Sequence, residues 1–571
     1  MQQKRIMIIA LVMIAAIVSG LYAGGGGQQG SASAGGGAID RSNFNALGTY
    51  PLVKNKETIT VMVPVGGDMI WETNWLTAYY EEKTNVHVNW ISVPQEQFKE
   101  RVNLALAGGE QIDLIICGNS GFTAFTTSDQ LKFADQNLVL PIQDLLNTDS
   151  INFKARLPQM DGWREAITLP NGNIYAFPTI SECYHCMFYG KMWVNKEFLK
   201  NVGLKIPTTT QEFRDMLIAF RDKDANGNGD PRDEIPMIGA IDHYGAKIDT
   251  YLMSAFIYDD GQNRLFVKDG KVTAAFAQPE FQEGLRYLRQ LYADGLIYRD
   301  SFVQNRTTRN QLNSAKYESI VGAMGNPHQG IGNRETNEPV RWIDYEPIPP
   351  LKGPKGVQTT RYDPYDRFHV EQPAAFIPYT SKNPALITRW LDWFMTDEGT
   401  QMLFYGPKDI AWTDADPGST GPNGSPAKIK MIRMQPGDPW YGNVTWGQAF
   451  PEFSDSKNRN LVQNPADMLE PLGTGLERFL ETKSTENYLP YVPALENLLP
   501  PLFYGDGASE VATLTVNINT YVEESIAKFV VGDLNVDRDW NTFQSNLKNL
   551  GLDRYLQIIQ TTYDKSAFAK K

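Results

Sequence analysis

The sequence predicts an α/β protein built of two or three compact units, and three observations carry that reading. Apolar strands alternate with helical stretches from Thr58 to Cys117. The length of 571 residues exceeds what one ordinary core fills. A composition of 42% apolar and 11% aromatic residues is that of a packed globular chain and excludes general disorder.

In chain order, the first element is a targeting segment. Lys4 and Arg5 precede an apolar run from Ile6 to about Val18 and the small-residue stretch 19–23, the pattern of a secretory signal peptide over residues 1–23. The run is shorter than the ~20 residues that a bilayer-spanning helix needs. The mature chain is therefore expected to be exported, soluble and periplasmic. Residues 24–53 read as a flexible Gly- and Ser-rich linker and N-terminal segment. Gly24 stands where a bacterial lipoprotein carries its acylated cysteine, so no lipid anchor is expected.

The strand Thr58 to Pro64 opens the ordered chain, followed by a helix near Trp75 to Lys83 and a second strand from Val86 to Val93. A helix from about Gln95 to Ala107 then leads through Gly108 and Gly109 into the strand Ile112 to Cys117. Such alternation implies a mostly parallel sheet with buried strands, whose ligands sit beyond the strands' carboxyl ends. That places 66–71 and 118–122 near a cleft. Pro- and Gly-rich stretches at 347–356 and 414–426 read as surface loops. The amphipathic stretches Trp540 to Leu550 and Leu552 to Tyr563 read as a packed helix pair.

A formal charge of −13 argues against a nucleic-acid partner, which requires clustered Lys and Arg. Cys183 and Cys186 form a C-x-x-C around His185. The run from Cys183 to Tyr189 reads as a strand, in which residues three apart point to opposite faces. Neither zinc nor redox chemistry is expected there, and the fate of Cys117, Cys183 and Cys186 stays open.

Several segments together resemble the extracellular solute-binding proteins of sugar-importing ABC systems, especially the LipO-like and alginate-oligosaccharide-binding members. They are Leu104 to Gly109 followed by Asp113 to Ile115, then Leu138 to Ile142 with Leu145, and Asn173 to Pro178. Next come Trp193 to Leu199 with Gly203, Leu204, Pro207, Thr208, Thr209 and Phe213. Further on stand Ser381 to Pro384, Trp390, Phe394 and Thr396 to Gly399, and finally Phe529, Gly532, Trp540, Phe543, Leu547, Gly551 to Asp553 and Tyr563. The order of these segments, more than any one of them, makes the likeness. It implies a type II periplasmic-binding fold with two α/β lobes joined by a hinge. By analogy residues 54–180 with 335–410 form lobe 1, and residues 181–334 with 411–571 form lobe 2. The function implied is capture of an oligosaccharide between the lobes by a monomer that delivers it to a membrane ABC permease.

Asp222 to Glu234 is the sharpest chemical motif. Oxygen-bearing side chains at alternating positions, glycines for a tight turn and closing carboxylates suit a hard cation such as calcium. One register starts at Asp222, with Asp224, Asn226, Gly227, Asp230 and Asp233 at EF-hand-like positions. The other starts at Asp224 and takes Asn226, Asn228 and Asp230, closed by Asp233 or Glu234. It resembles the calcium loop of alginate-oligosaccharide-binding proteins, with one extra residue before Asp233, and is preferred. The expected role is structural.

Sugars offer apolar C–H faces and a rim of hydroxyls, so aromatic rings and a few placed polar groups recognise them. Candidates in the expected strand-end loops are Trp71, Asn119, Tyr184, His243, Trp412 and Trp446. No catalytic residue is expected. The rival class, a secreted glycoside hydrolase, needs two carboxylates about 5–10 Å apart across a cleft. Pairs such as Glu81-Glu82, Asp259-Asp260 and Glu523-Glu524 read instead as solvated neighbours, and neither a G-x-S-x-G elbow nor an H-E-x-x-H helix is present.

Overall fold

The structure is a computed structural model. It describes residues 39–571 apart from 66–68, 119–124, 126, 161–162, 170, 242–243, 314–317, 327–340, 367, 448–449, 466, 470–474, 503, 505–506, 567 and 570–571. The expected signal peptide, residues 24–38 of the linker segment, Asn119 and His243 lie outside the described residues. No helix among those described is long and apolar enough to cross a membrane.

The strands in chain order are β1 (Glu57–Val65), β2 (Val86–Pro94), β3 (Leu114–Ile116), β4 (Ala176–Glu182), β5 (Met192–Asn195), β6 (Ile235–Ile238), β7 (Leu265–Lys268), β8 (Lys271–Ala274), β9 (Val321–Gly325), β10 (Tyr345–Ile348), β11 (Phe368–Phe376), β12 (Trp412–Asp414), β13 (Ile429–Met431) and β14 (Glu452–Ser454). Among the described residues they form a six-stranded sheet in the order β14-β4-β11-β3-β1-β2 and a four-stranded sheet in the order β10-β5-β9-β6. β7–β8 and β12–β13 are separate hairpins.

The first sheet follows the sequence pattern. β1 pairs in parallel with β2 along its whole length and with β3, and its Ile59, Val61, Met62 and Val63 are buried. The helix Trp75–Thr84 between β1 and β2 begins where the Asn74 side chain accepts from Leu76 N. It ends at Asn85, whose φ of 60° lies in the left-handed region that Asn tolerates. β11 runs antiparallel between β3 and β4, and β14 adds in parallel to β4.

In the second sheet β5 runs antiparallel to β9 and β10, while β6 pairs in parallel with β9. The helix Thr210–Asp222 starts with a capping box in which Thr209 accepts from Glu212 N and Glu212 reaches back to the Thr209 N–H. Its buried face, with Phe213, Met216, Leu217 and Phe220, joins the second lobe's core. That core is completed from the far end of the chain, by Phe529, Phe543, Leu547, Tyr555 and Ile559. The expected C-terminal helix pair, Trp540–Asn549 and Leu552–Lys565, packs here.

Three expected boundaries are corrected. Lobe 1 starts earlier than 54: Leu52 and Val53 are buried, Phe44 bridges to Val53, and Arg41 pairs with Asp149 at 2.5 Å. β10, expected in lobe 1, pairs with β5 in the second sheet. The segment 411–454, expected in lobe 2, supplies β14 to the first sheet and Trp446 to the first lobe's core. In each case the long-range pairing follows the burial of the strand, which local sequence does not encode.

The chain crosses between the sheets at 183–191 (β4 to β5), at 349–367 (β10 to β11) and after β14, where it returns to the helix Leu476–Asn487. Leu476, Phe479 and Leu480 of that helix pack on Trp193 and Tyr345 of the second sheet.

Candidate functional site

The crossings frame a cleft of about 900 Å³. One wall comes from the first sheet, where Glu182 ends β4 and Arg459 and Asn460 follow β14. The opposite wall is the helix Leu476–Asn487. Its apolar residues face the second sheet, and Arg478, Glu481 and Thr485, three and four residues apart, share the face towards the cleft. Tyr184 and Tyr362 come from two of the crossing segments.

Charge is concentrated behind this surface. Arg459 donates to Glu477 at 2.9 Å and to Ser181 Oγ at 2.8 Å, and His185 Nε2 lies 3.5 Å from the same Glu477 oxygen. Burial alone would raise the Glu477 pKa, but Arg459 and His185 outweigh it and hold the carboxyl well below the usual range. Burial lowers the His185 pKa. It also brings Lys191 down to about 7, with Glu477 opposing; the Lys191 ammonium donates to the carbonyls of His185, at 2.8 Å, and Phe188.

Glu481 behaves in the opposite way to Glu477. Burial and then the neighbouring Glu477 charge push its pKa up to about 7. A carboxyl raised above its free value stabilises the folded chain fully below the free pKa and loses that contribution as pH rises through the folded value. Glu481→Gln is therefore expected to match the native chain in thermal unfolding midpoint at pH 4 and to exceed it at pH 8. Parallel melting curves across that range check this.

The structure separates the residues singled out from sequence. Tyr184 lines the cleft, and its hydroxyl accepts from Thr485 Oγ1 at 3.0 Å. Trp71 and Trp446 do not reach it. Each is 1% exposed, in a cluster with Tyr80, Trp90, Trp390, Phe394 and Phe450. Their indole N–H groups are taken by Pro64 O at 3.1 Å and Thr77 Oγ1 at 3.0 Å. The turn Trp71–Thr73 folds the first ring back beneath the sheet instead of presenting it at the strand end. Trp412 is half-buried at the start of the β12–β13 hairpin, its N–H donating to Gly406 O at 2.8 Å, outside the cleft lining.

Sequence reasoning missed Glu182, Tyr362, Arg459, Arg478 and Glu481. The polar stripe Arg478, Glu481 and Thr485 opposite Leu476 and Phe479 was a usable signal for an amphipathic helix. Nothing local revealed that the stripe faces a cleft.

The C-x-x-C also departs from expectation. β4 ends at Glu182, and the short turn His185–Met187 brings the Cα atoms of Cys183 and Cys186 to 5.2 Å, joined by a disulfide. A continuing strand would have held them about 10 Å apart. Cys117 is a buried free thiol.

In the acidic loop, Asp224 accepts backbone N–H bonds from Gly227 at 2.8 Å, Asn228 at 3.0 Å and Gly229 at 2.9 Å. Gly227 and Gly229, at φ of 78° and 96°, make that wrapping possible. The Asn226 and Asn228 side chains converge on the two oxygens of Asp233 at 3.1 and 2.7 Å. Glu234 accepts from Ala225 N at 2.7 Å through one oxygen, and its other oxygen is buried without a hydrogen-bond partner among the described residues. Asp230 turns outward to Arg232 at 2.8 Å and stands apart from the set expected from sequence.

The family model of bacterial extracellular solute-binding proteins matches residues 68–401. The fructooligosaccharide ABC transporter substrate-binding protein FusA of Streptococcus pneumoniae is 26% identical over 509 residues, 85% of this chain and 86% of that one. FusA solved with kestose superposes with a TM-score of 0.70 at 23% identity, covering 89% of this chain and 99% of FusA. Alginate-binding protein AlgQ2, solved without calcium ion, gives 0.62 at 17% identity over 90% and 99%. These likenesses bear out the two-lobed α/β fold expected from sequence, and they set the hydrolase reading aside in favour of a binding protein. With the family match spanning more than half its length, the chain belongs to the bacterial extracellular solute-binding proteins.

Proposed function

We propose that this protein is the capture subunit of an ABC importer for an oligosaccharide, acting as an exported, periplasmic monomer that hands its cargo to a membrane permease. The observation that carries the reading is the cleft between the two sheets, where Tyr184 and Tyr362 stand beside paired charged groups and the hydroxyl of Thr485. Aromatic faces suit the C–H surfaces of sugars, and the ring of polar groups suits their hydroxyls. The likeness to FusA, a fructooligosaccharide-binding protein, supports the ligand class. Because both walls contribute side chains, a ligand touching both favours the closed arrangement of the lobes, and closure follows from that difference in affinity. The N-terminal pattern of residues 1–23 supports export.

Calorimetric titration of the exported chain with kestose and longer fructooligosaccharides tests this. Saturable one-to-one binding with the sugar recovered intact is the expected result; appearance of shortened sugars and free monosaccharide overturns it.

The same reading includes a structural calcium ion in the acidic loop, held by Asp224, Asn226, Asn228, Asp233 and Glu234. The amide groups of Asn226 and Asn228 can each present oxygen instead of nitrogen by rotation, and the buried unpartnered oxygen of Glu234 suits a hard cation. FusA has been solved as an EF-hand mutant, which supports a loop of this kind. Chelation is expected to lower stability by about 2.7 kcal/mol where free calcium stood at about 100 times its dissociation constant. Asp224→Ala is expected to abolish the response of the melting temperature to calcium.

A further inference from the structure

We infer that the Cys183–Cys186 disulfide is a positioning device for the binding site: it locks the turn that holds Tyr184 against the cleft. The inference rests on the cleft being the capture site proposed above. Cys183 directly follows β4 of the first sheet, and β5 of the second begins nine residues later, at Met192. The disulfide therefore sits on one of the strands crossing between the lobes, with Tyr184 inside its ring.

The Tyr184 ring packs on that of Phe188 at 5.7 Å and His185 lies 3.5 Å from Glu477, but the backbone of the turn itself is weakly bonded. Its two internal backbone bonds, Met187 N to Tyr184 O and Phe188 N to His185 O, are both 3.3 Å, at the long end of the hydrogen-bond range. Downstream the segment is anchored well. Lys191 caps the carbonyls of His185 and Phe188, Asp363 N donates to Met187 O at 2.9 Å, and the Phe188 ring lies 5.0 Å from that of Tyr362. The covalent link thus adds a direct tie from the anchored stretch 187–191 back to Tyr184, whose hydroxyl accepts from Thr485 on the opposite wall. A ring closed over so few residues constrains the unfolded chain least. Its effect is expected in the arrangement of the site, through the cost of ordering Tyr184 on each binding event. Cys186 is half-buried, so a small reductant can reach the bond, while Cys117 takes no part in it.

The test uses the full exported chain carrying 3-fluorotyrosine at position 184, oxidised and then treated with a water-soluble phosphine. The phosphine supplies two electrons, the S–S bond becomes two thiols with protons from water, and the phosphine leaves as its oxide. Without any sugar, the oxidised chain is expected to give one narrow fluorine resonance at Tyr184, and the reduced chain a split or markedly broadened one. An unchanged resonance overturns the inference whether or not the sugar binds. With kestose as probe, reduction is expected to weaken binding about three- to ten-fold, reoxidation to restore it, and the same reduction to change the affinity of Tyr184→Ala by less than about two-fold. Equal weakening in Tyr184→Ala overturns the route through Tyr184. If the oxidised chain fails to bind kestose, the capture of that sugar is refuted, and the fluorine spectrum still decides the role of the disulfide. Cys186→Ser, read by the same resonance, guards against an effect of the reductant elsewhere.

Discussion

Trp446→Ala is expected to destabilise the protein by about 4 kcal/mol, the middle of the range for removal of a buried aromatic side chain. The ring is 1% exposed, stacks on Phe450 at 4.5 Å and lies 5.5 to 6.1 Å from Trp90, Phe394, Trp390, Trp71 and Tyr80. Those rings come from β2, from the helix and turn after β1, and from the helix Pro384–Asp392 with the turn that follows it, so their backbones are fixed independently and cannot collapse into the gap. The indole N–H also satisfies Thr77 Oγ1, which the substitution leaves buried. Urea unfolding followed by tryptophan fluorescence measures the loss, and a change under 1 kcal/mol shows that the cluster can repack.

Arg264→Leu is expected to cost a similar 3–5 kcal/mol, by a different cause. Arg264 is 1% exposed and bridges Asp249 at 2.6 Å, Asp259, and Glu523 at 3.0 Å, tying the helix Ile248–Met253 to the long helix Ala508–Val531. Removing the guanidinium leaves Asp249 and Asp259 buried without its charge, which is the costly way to break a buried ion pair. Burial already brings the Asp259 pKa up to about 6 against the pull of Arg264. Without Arg264 that pKa rises further, and a raised carboxyl stabilises the fold on the acid side only. The deficit of Arg264→Leu should therefore be larger at pH 8 than at pH 5. Adding Asp259→Asn should recover part of it at pH 8 and little at pH 5. A pH-independent deficit would show that lost packing around the guanidinium dominates.

Much of the fold was legible where local chemistry decides it. The alternation from β1 to β3 follows from apolar runs and helix caps such as Asn74 and Asn85, and the start of the helix Thr210–Asp222 follows from Thr209 and Glu212. The acidic loop was visible because its residues act on one another within a dozen positions. The cleft was not, since its walls meet only after β14 has joined β4 across 273 residues of sequence, Glu452 lying beside Thr179. Trp71 and Trp446 illustrate the failure. Both follow the pattern of exposed strand-end residues, yet 375 positions separate two rings 6.0 Å apart in one core. Cys183 and Cys186 failed for a local reason: the β-rich run Tyr184 to Tyr189 hides a strand end that only the turn at His185 reveals.

The interleaving of the two sheets limits how the molecule can be re-engineered. Strands of the first sheet span residues 57 to 454, those of the second are nested inside that span, and the second core waits for Phe529 and Tyr555. Neither half can be excised as one continuous length of chain, so a sensor made from this scaffold must keep the whole polypeptide and receive its reporter as an insertion. The tip of the β7–β8 hairpin, Asp269 and Gly270, is exposed and adopts the left-handed backbone of a tight reversal, making it a natural graft point that leaves both sheets intact.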